Sequence, residues 1–377
     1  MCRDSVAWLL LAFCLFALSA HIVSSAVTGL RCARRPAPAT AGHPSVTIIR
    51  PVCGLDEVER ATLASTFELA ANNAEILFCA KTVGDPAVAY LEHLIARHPA
   101  INARLLIGDD LGTQNPKLNN IAKGWRAASH DWIILSDSNV QLPSDYTARV
   151  MGAWKTDTGL VCAPPLGSRP ASFWAEVECA YLNTYQARWQ YFADSIGYGF
   201  AQGKTMLWRR ADLEHHGGIA ALASELAEDA AATKIVAAGG RRVRLVAPGF
   251  EQPLGIRSAA QVIGRQLRWA QLRRLSFPLH FAPEILTGMV PMLTAGCAGL
   301  ALLEIAVLPF ALALCGLWLA SEALLAWHAG WHLGWRSPLA WIVRDLLIPV
   351  VWTRAWLQRG YNWRGNTISA RPLSSPA

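Results

Sequence analysis

The chain opens on an apolar run, residues 7–30, unbroken by charge and about 24 residues long, enough to cross a bilayer. Short β-branched or apolar runs then recur at 45–50, 74–79, 103–108, 132–135, 159–163, 203–208 and 242–246. Stretches of helical periodicity separate the first of them, at 57–69, 87–97 and 118–129. The strand runs do not alternate polar with apolar positions, so both of their faces are buried. That predicts an α/β domain with a mostly parallel sheet covered by helices on both sides. Residues 173–192 read as one long aromatic-rich helix. Past about residue 278 the pattern changes again. Residues 287–326 carry only Glu304 and Glu322 as charges, and about forty such residues suit two spans joined by a tight turn, or one span and a buried segment. Residues 338–352 are apolar but hold Arg344 beside Asp345, which predicts mutual pairing, a bundle-facing position or a re-entrant segment.

Composition sharpens the membrane reading. Hydrophobic residues make up 53% and charged residues 16% of the chain, against about 25% charge in soluble domains. The sixteen tryptophans suit a protein with apolar–water boundaries. Residues 7–30 read either as a cleaved signal or as a retained anchor, and Arg31, Arg34 and Arg35 directly after them favour the anchor with the following domain in the cytoplasm. Arg354, Arg359, Arg364 and Arg371 place the tail on the same side, which requires an odd number of complete spans: one N-terminal and two C-terminal. The expected division is an anchor at 1–30, a linker at 31–44, a cytoplasmic catalytic domain at 45–277, and membrane segments with a basic tail at 278–377. The net charge of +7 suits a phosphorylated substrate or acidic headgroups. No nucleic-acid module or basic stripe with interleaved aromatics appears. The nine cysteines have no metal-ligand spacing and read as buried thiols of a reducing compartment.

Two acidic centres are the candidate chemistry. Asp137, in Ser-Asp-Ser-Asn at the end of the 132–135 run, has Ser138 and Asn139 beside it, a set able to coordinate Mg²⁺ or Mn²⁺ through oxygen. Local sequence alone favours the plainer reading, a turn or cap aspartate. Glu228 and Asp229 follow a double glycine in a helical region and read either as a general base with its neighbour or as a solvated helix face. Lys117, in Asn-Pro-Lys-Leu-Asn-Asn from Asn115 to Asn120, reads as a phosphate contact or as part of a turn and helix start. Arg265, Arg268 and Trp269 share a helix face that can grip a diphosphate or anchor the chain before its membrane segments. His215 and His216 are adjacent rather than one helical turn apart, which argues for a surface role. No dinucleotide fingerprint, phosphate-binding loop or serine-hydrolase elbow is present.

Taken in order, Asn-Pro-Lys-Leu-Asn-Asn at 115–120, Ser-Asp-Ser-Asn at 136–139, Ala-Glu-Asp at 227–229 and Arg-Gln-Leu-Arg-Trp at 265–269 resemble the ceramide glucosyltransferase family, from about residue 45 to 274. Trp-Ile-Val-Arg-Asp at 341–345 and Trp-Arg-Gly at 363–365 extend the likeness into the membrane part. The resemblance implies a GT-A domain inserted between N-terminal and C-terminal transmembrane helices. It implies Asp137 on the metal under the UDP diphosphate, Asp229 as base for the lipid hydroxyl, and Arg265, Arg268 and Trp269 on the diphosphate. The reaction it implies is inverting transfer of glucose from UDP-glucose to the primary hydroxyl of ceramide, at a membrane. The expected setting is a bacterial inner membrane with the catalytic domain in the cytoplasm. The sequence departs from the family at the first aspartate, where Thr82 stands, and Asp85 or Asp56 is the candidate replacement for that donor contact. The alternatives are another donor (UDP-galactose, UDP-glucuronate or an N-acetylated sugar), another lipid (a hopanoid or diacylglycerol), and a non-catalytic lipid-binding scaffold.

Overall fold

The uninterrupted apolar runs become the strands of one sheet. The structure, a computed structural model, describes residues 3–33, 43–69, 74–358, 360–363 and 366–369. They fall into two units. The α/β unit takes the described residues of Arg34–Ser168 and Ala193–Pro253, and the membrane unit takes those of Met1–Ala33, Arg169–Phe192 and Leu254–Pro372. Residues 169–192 and 254–277, which the sequence groups with the catalytic domain, thus pack within the membrane unit.

In chain order the strands are β1 (Val46–Pro51), β2 (Ala74–Ala80), β3 (Ala103–Ile107), β4 (Trp132–Ser136), β5 (Thr158–Cys162), β6 (Pro165–Pro170), β7 (Thr205–Arg209), β8 (Arg242–Leu245) and β9 (Phe250–Gly255). Seven of them form a sheet in the order β3-β2-β1-β4-β7-β5-β8. Neighbours run parallel, except that β7 is antiparallel to both β4 and β5. Consecutive residues Ile48, Ile49, Ile76, Leu77, Ile133 and Ile134 are all buried, as a sheet covered on both faces demands. The mostly parallel α/β reading holds. β6 and β9, which the sequence pattern does not announce, pair as a separate ribbon.

The helices of this unit are α2 (Glu57–Ala64), α3 (Pro86–Arg97), α4 (Pro116–Ala127), α5 (Tyr146–Gly152), α8 (Arg210–Glu214) and α9 (Glu228–Ala238). Two of them start on the same device. Asp85 caps α3 and Asn115 caps α4, and the next residue in each case is a proline whose missing N–H costs nothing in the first turn. Asp56 caps α2 in a reciprocal pair with Glu59.

The membrane unit contains α1 (Arg3–Cys32), α6 (Phe173–Ala180), the first part of α7 (Arg188–Ser195), α10 (Ala259–Ser276), α11 (Pro278–Phe281), α12 (Met289–Leu302), α13 (Val307–Ala329) and α14 (Ser337–Leu357). α1 and α13 are long and apolar enough to cross a membrane. The bent pair Pro278–Leu286 and Met289–Leu302, at 52°, makes a third candidate if counted as one span. The chain is therefore an integral membrane protein carrying an α/β unit. α1 packs against α12 and α13. The approach is close enough that a Cβ on Gly299 would lie 2.9 Å from Leu11 Cγ and 3.0 Å from the Ala7 carbonyl. The expected pairing of Arg344 with Asp345 is present at 2.9 Å, and Glu322 on α13 joins it at 2.6 Å, all three buried. The long helix read at 173–192 is broken by a π-helical run, Tyr181–Ala187, between α6 and α7.

Candidate active site

The carboxyl end of β4 and the lead-in to β7 meet because the two strands are antiparallel. The Asp137 N–H donates to the Lys204 carbonyl at 3.0 Å. The side chains at this edge form one charged cluster. Asp137 Oδ1 lies 2.7 Å from the Lys117 ammonium and Oδ2 lies 2.8 Å from that of Lys204. Lys117 comes from the first turn of α4. It reaches Glu228 Oε1 at 2.6 Å and the Gly203 carbonyl at 2.6 Å. Asn115 holds Glu228 in turn, donating to its Oε2 at 2.8 Å, while Asn139 Oδ1 accepts from Lys204 at 3.2 Å. Asp229, at the start of α9, accepts from the Gly203 N–H at 3.2 Å and from the Ala230 N–H at 2.9 Å. Gly203 thus lies between the two acidic centres. A Cβ there would sit 2.8 Å from Glu228 Oε1, 3.4 Å from Lys117 Nζ and 3.5 Å from Asp229 Oδ2, so a larger residue requires the Glu228 carboxylate to shift.

The two aspartates end with opposite electrostatics. Burial by itself would raise the Asp137 carboxyl, but the ammoniums of Lys117 and Lys204 outweigh it and hold Asp137 well below the usual carboxylate range. Burial works against Lys117 too, and Asp137 and Glu228 reverse it, keeping the lysine firmly charged. For Asp229 burial wins: with the Glu228 charge adding to it, the carboxyl rises to about 6. One carboxylate is a permanent anion, while the other titrates near neutrality and can exchange a proton. A pair of carboxyls with separated proton affinities is the usual division between an electrostatic post and an acid–base group.

The other residues singled out in the sequence are placed as follows. Ser138 turns inward, its hydroxyl on Glu59 Oε1 at 3.1 Å, and supports the loop. Asp85 accepts from the Gly54 N–H at 3.0 Å and from the Ala87 N–H at 2.9 Å, tying two loops together as it caps α3. Asp56 is likewise a helix cap, and Thr82 lies in the exposed turn whose carbonyl accepts from the Asp85 N–H at 3.3 Å. Arg265, Arg268 and Trp269 lie on α10 in the membrane unit. There Arg265 pairs with the fully buried Glu178 of α6, and Trp269 packs on Ala175, Cys179, Leu182 and Leu254. His215 and His216 are exposed, as expected. They border a cavity of about 360 Å³ with Trp208, Asp212 and Arg241, which contains none of the site residues.

Three residues of the site escaped the sequence reading: Lys204, Gly203 and Arg50. Arg50 is fully buried in β1 and donates to the carbonyls of Thr62, Asp137, Ser138 and Val140 at 2.8–3.0 Å. It staples the loop that carries Asp137. A charged residue inside an otherwise β-branched run was its visible signal.

The Asp137 edge suits a divalent cation by the chemistry of its donors. Asp137 Oδ2 and Asn139 Oδ1 already converge on one cation, the Lys204 ammonium. Both are hard oxygens of the kind Mg²⁺ and Mn²⁺ take. No cluster of three or more His, Cys, Asp or Glu side chains able to hold a metal occurs among the described residues. An ion at Asp137 would complete its shell from amide oxygen, water and ligand oxygens, as Mg²⁺ commonly does.

The profile of glycosyl transferase family 21 matches residues 7–374. Ceramide glucosyltransferase 3 of Caenorhabditis elegans is 25% identical over 363 residues, covering 94% of this chain and 78% of that protein. Ceramide glucosyltransferase 1 of the same organism is 26% identical over 62% of this chain and 51% of its own length. The ceramide glucosyltransferase of Komagataella phaffii is 36% identical over 32% of this chain and 24% of its own length. Among solved structures, a mannosyltransferase from Pyrobaculum calidifontis in complex with GDP-Man and Mn²⁺ superposes with a TM-score of 0.56 at 18% identity, covering 94% of this chain and 98% of that one. The fold is accordingly GT-A-like. The chain belongs to glycosyl transferase family 21 and is a glycosyltransferase.

Proposed function

We propose that this family 21 glycosyltransferase transfers glucose from UDP-glucose to the primary hydroxyl of ceramide, inverting the anomeric carbon. The observation that carries the reading is the split between Asp137, held ionised by two lysines, and Asp229, whose carboxyl is raised to about 6. Asp229 takes the proton of the acceptor hydroxyl, and the oxygen attacks the anomeric carbon from the side opposite the diphosphate. The bond from that carbon to the phosphate oxygen breaks and its electron pair leaves with UDP. A base poised near the working pH combines adequate strength with a workable proton affinity. Two backbone N–H groups, from Gly203 and Ala230, fix the direction of the Asp229 carboxylate. Asp137 and Asn139 would hold a divalent cation, which supplies charge neutralisation to the departing diphosphate. The names of the relatives support ceramide as acceptor and glucose as sugar. Arg265, Arg268 and Trp269 complete the proposal as diphosphate contacts, in keeping with their cationic and aromatic chemistry. The catalytic unit is proposed to face the cytoplasm, on the strength of the basic residues that flank the apolar segments.

The test is a donor-by-acceptor screen on the purified full chain in lipid nanodiscs with Mg²⁺ or Mn²⁺. Labelled UDP-glucose and short-chain ceramide should give β-glucosylceramide. Transfer to diacylglycerol or a hopanoid in preference to ceramide reassigns the acceptor. No transfer from any UDP-sugar to any of these lipids sinks the reading.

A further inference from the structure

Asp137 faces two ammoniums, one at each carboxylate oxygen. Lys117 lies 2.7 Å from one of its oxygens, and that lysine is immobilised by Glu228 and the Gly203 carbonyl as well. The second ammonium, from Lys204, sits at the position where a metal ligand set would place its ion, 2.8 Å from Asp137 Oδ2 and 3.2 Å from Asn139 Oδ1. The Lys204 backbone is fixed by the Asp137 N–H at 3.0 Å. Its side chain, a flexible four-carbon stem with a point charge, can change partner while the backbone stays.

We propose that Lys204 is the resident cation of the Asp137 site: without donor it occupies the divalent-ion position, and it transfers to the donor's diphosphate as the ion takes Asp137. The proposal rests on the reading of Asp137 and Asn139 as cation ligands. Its consequence is coupled binding. An ion arriving alone must displace the ammonium from Asp137 and Asn139, so ion affinity is low. A nucleoside diphosphate gives Lys204 a new partner, so each ligand strengthens the other, and by thermodynamic reciprocity by the same factor. Lys204 is a positioning residue here, acting through the occupancy of Asp137.

Mn²⁺ binding to the purified full chain, followed by the loss of the free-ion paramagnetic resonance signal with and without UDP, tests this directly and without turnover. The wild type should bind Mn²⁺ weakly alone and at least about tenfold tighter with UDP, within the usual range of coupling. Lys204→Met should bind Mn²⁺ alone about tenfold tighter than the wild type, with the effect of UDP largely lost. Lys204→Arg, which keeps a tethered cation, should behave as the wild type, and this separates loss of charge from damage to the fold. Asp137→Asn should abolish Mn²⁺ binding in both conditions. If Asp137→Asn abolishes binding but Lys204→Met binds no tighter than the wild type, the role of Lys204 is overturned while Asp137 stands as a cation ligand. If Asp137→Asn leaves Mn²⁺ binding unchanged, both fall.

Discussion

Replacing Asp229 by asparagine should cost turnover and gain stability at once, a combination that a merely structural aspartate would not produce. The side chain is near-isosteric, so the substitution removes a titrating charge and little else. The folded carboxyl is raised from 3.8 to about 6, which amounts to a penalty on its ionised form of about 3 kcal/mol at neutral pH. Against this stands the weakening of the bonds from the Gly203 and Ala230 N–H groups, together about 1–2 kcal/mol. Asp229→Asn should therefore be more stable than the wild type by about 1–2 kcal/mol at pH 7, or about 2–6 °C in melting temperature. The pH dependence has a definite sign. Below pH 4 the carboxyl is protonated in both folded and unfolded chains and carries no charge penalty. Between about 4 and 6 the unfolded chain has released its proton while the folded chain retains it, so wild-type stability falls relative to the variant as pH rises, and the gap is constant above about 6. Activity should move the other way. Wild-type kcat/KM should decline about tenfold per unit below pH 6, and the variant should be slower by about 10²–10⁴-fold, the usual worth of a general base, with that acid limb gone. Melting curves and initial rates in nanodiscs across pH 4–9 check both halves. A variant within tenfold of wild-type turnover, or one that keeps the acid limb, removes Asp229 from the base role.

Three further outcomes test the framework around it. Gly203→Ala places a Cβ 2.8 Å from Glu228 Oε1, so it should cost about 1–3 kcal/mol in stability and about tenfold or more in turnover, measured by chemical unfolding and initial rates. A fully active, equally stable variant would show that this close approach does not matter. Arg50→Met removes the bonds to the carbonyls of Thr62, Asp137, Ser138 and Val140 and should lose about 3 kcal/mol or more in the same unfolding assay, with Arg50→Lys recovering only part because an ammonium lacks the fork that spans them. Arg344→Met leaves Glu322 and Asp345 buried without their cation and should cost about 3–5 kcal/mol. The triple variant with Glu322→Gln and Asp345→Asn should regain most of that in detergent melting curves, and no recovery would mean that Arg344 acts through packing alone.

The parts of this molecule legible in the sequence are those that local chemistry dictates. The strands β1, β2, β4 and β5 were legible because each apolar run must be buried on both faces, and the bodies of α3 and α4 because their apolar positions recur at helical spacing. Arg344 and Asp345 could be expected to pair because neither can lie alone in an apolar segment. What stayed hidden depends on distant partners. β6 and β9 contain prolines and glycine that lower strand propensity, and their ribbon exists only because the two segments meet. The π-helical run at Tyr181–Ala187 has no glycine or proline to announce it. Arg188, just beyond it, is buried and donates to the Thr184 carbonyl at 2.7 Å, a demand made by surroundings the local sequence does not display.

The same reasoning explains why Asp137 was visible as a candidate and Lys204 was not. In an open α/β sheet, parallel strands deliver their carboxyl ends to one edge, so an acidic residue just after an apolar run is a candidate wherever it occurs. A residue just before a strand ordinarily falls at the opposite edge and attracts no attention. β7 inverts that rule: running antiparallel between β4 and β5, it brings its amino end to the edge where β4 and β5 end. Ser136 pairs with Thr205 in the ladder, so the positions just outside, Asp137 and Lys204, are obliged to face each other across 67 residues of sequence. The single reversed strand therefore does more than close the sheet. It supplies the backbone that holds Asp229 through Gly203 and the ammonium that meets Asp137, and it places a glycine where the carbonyl, the amide and three charged side chains crowd together.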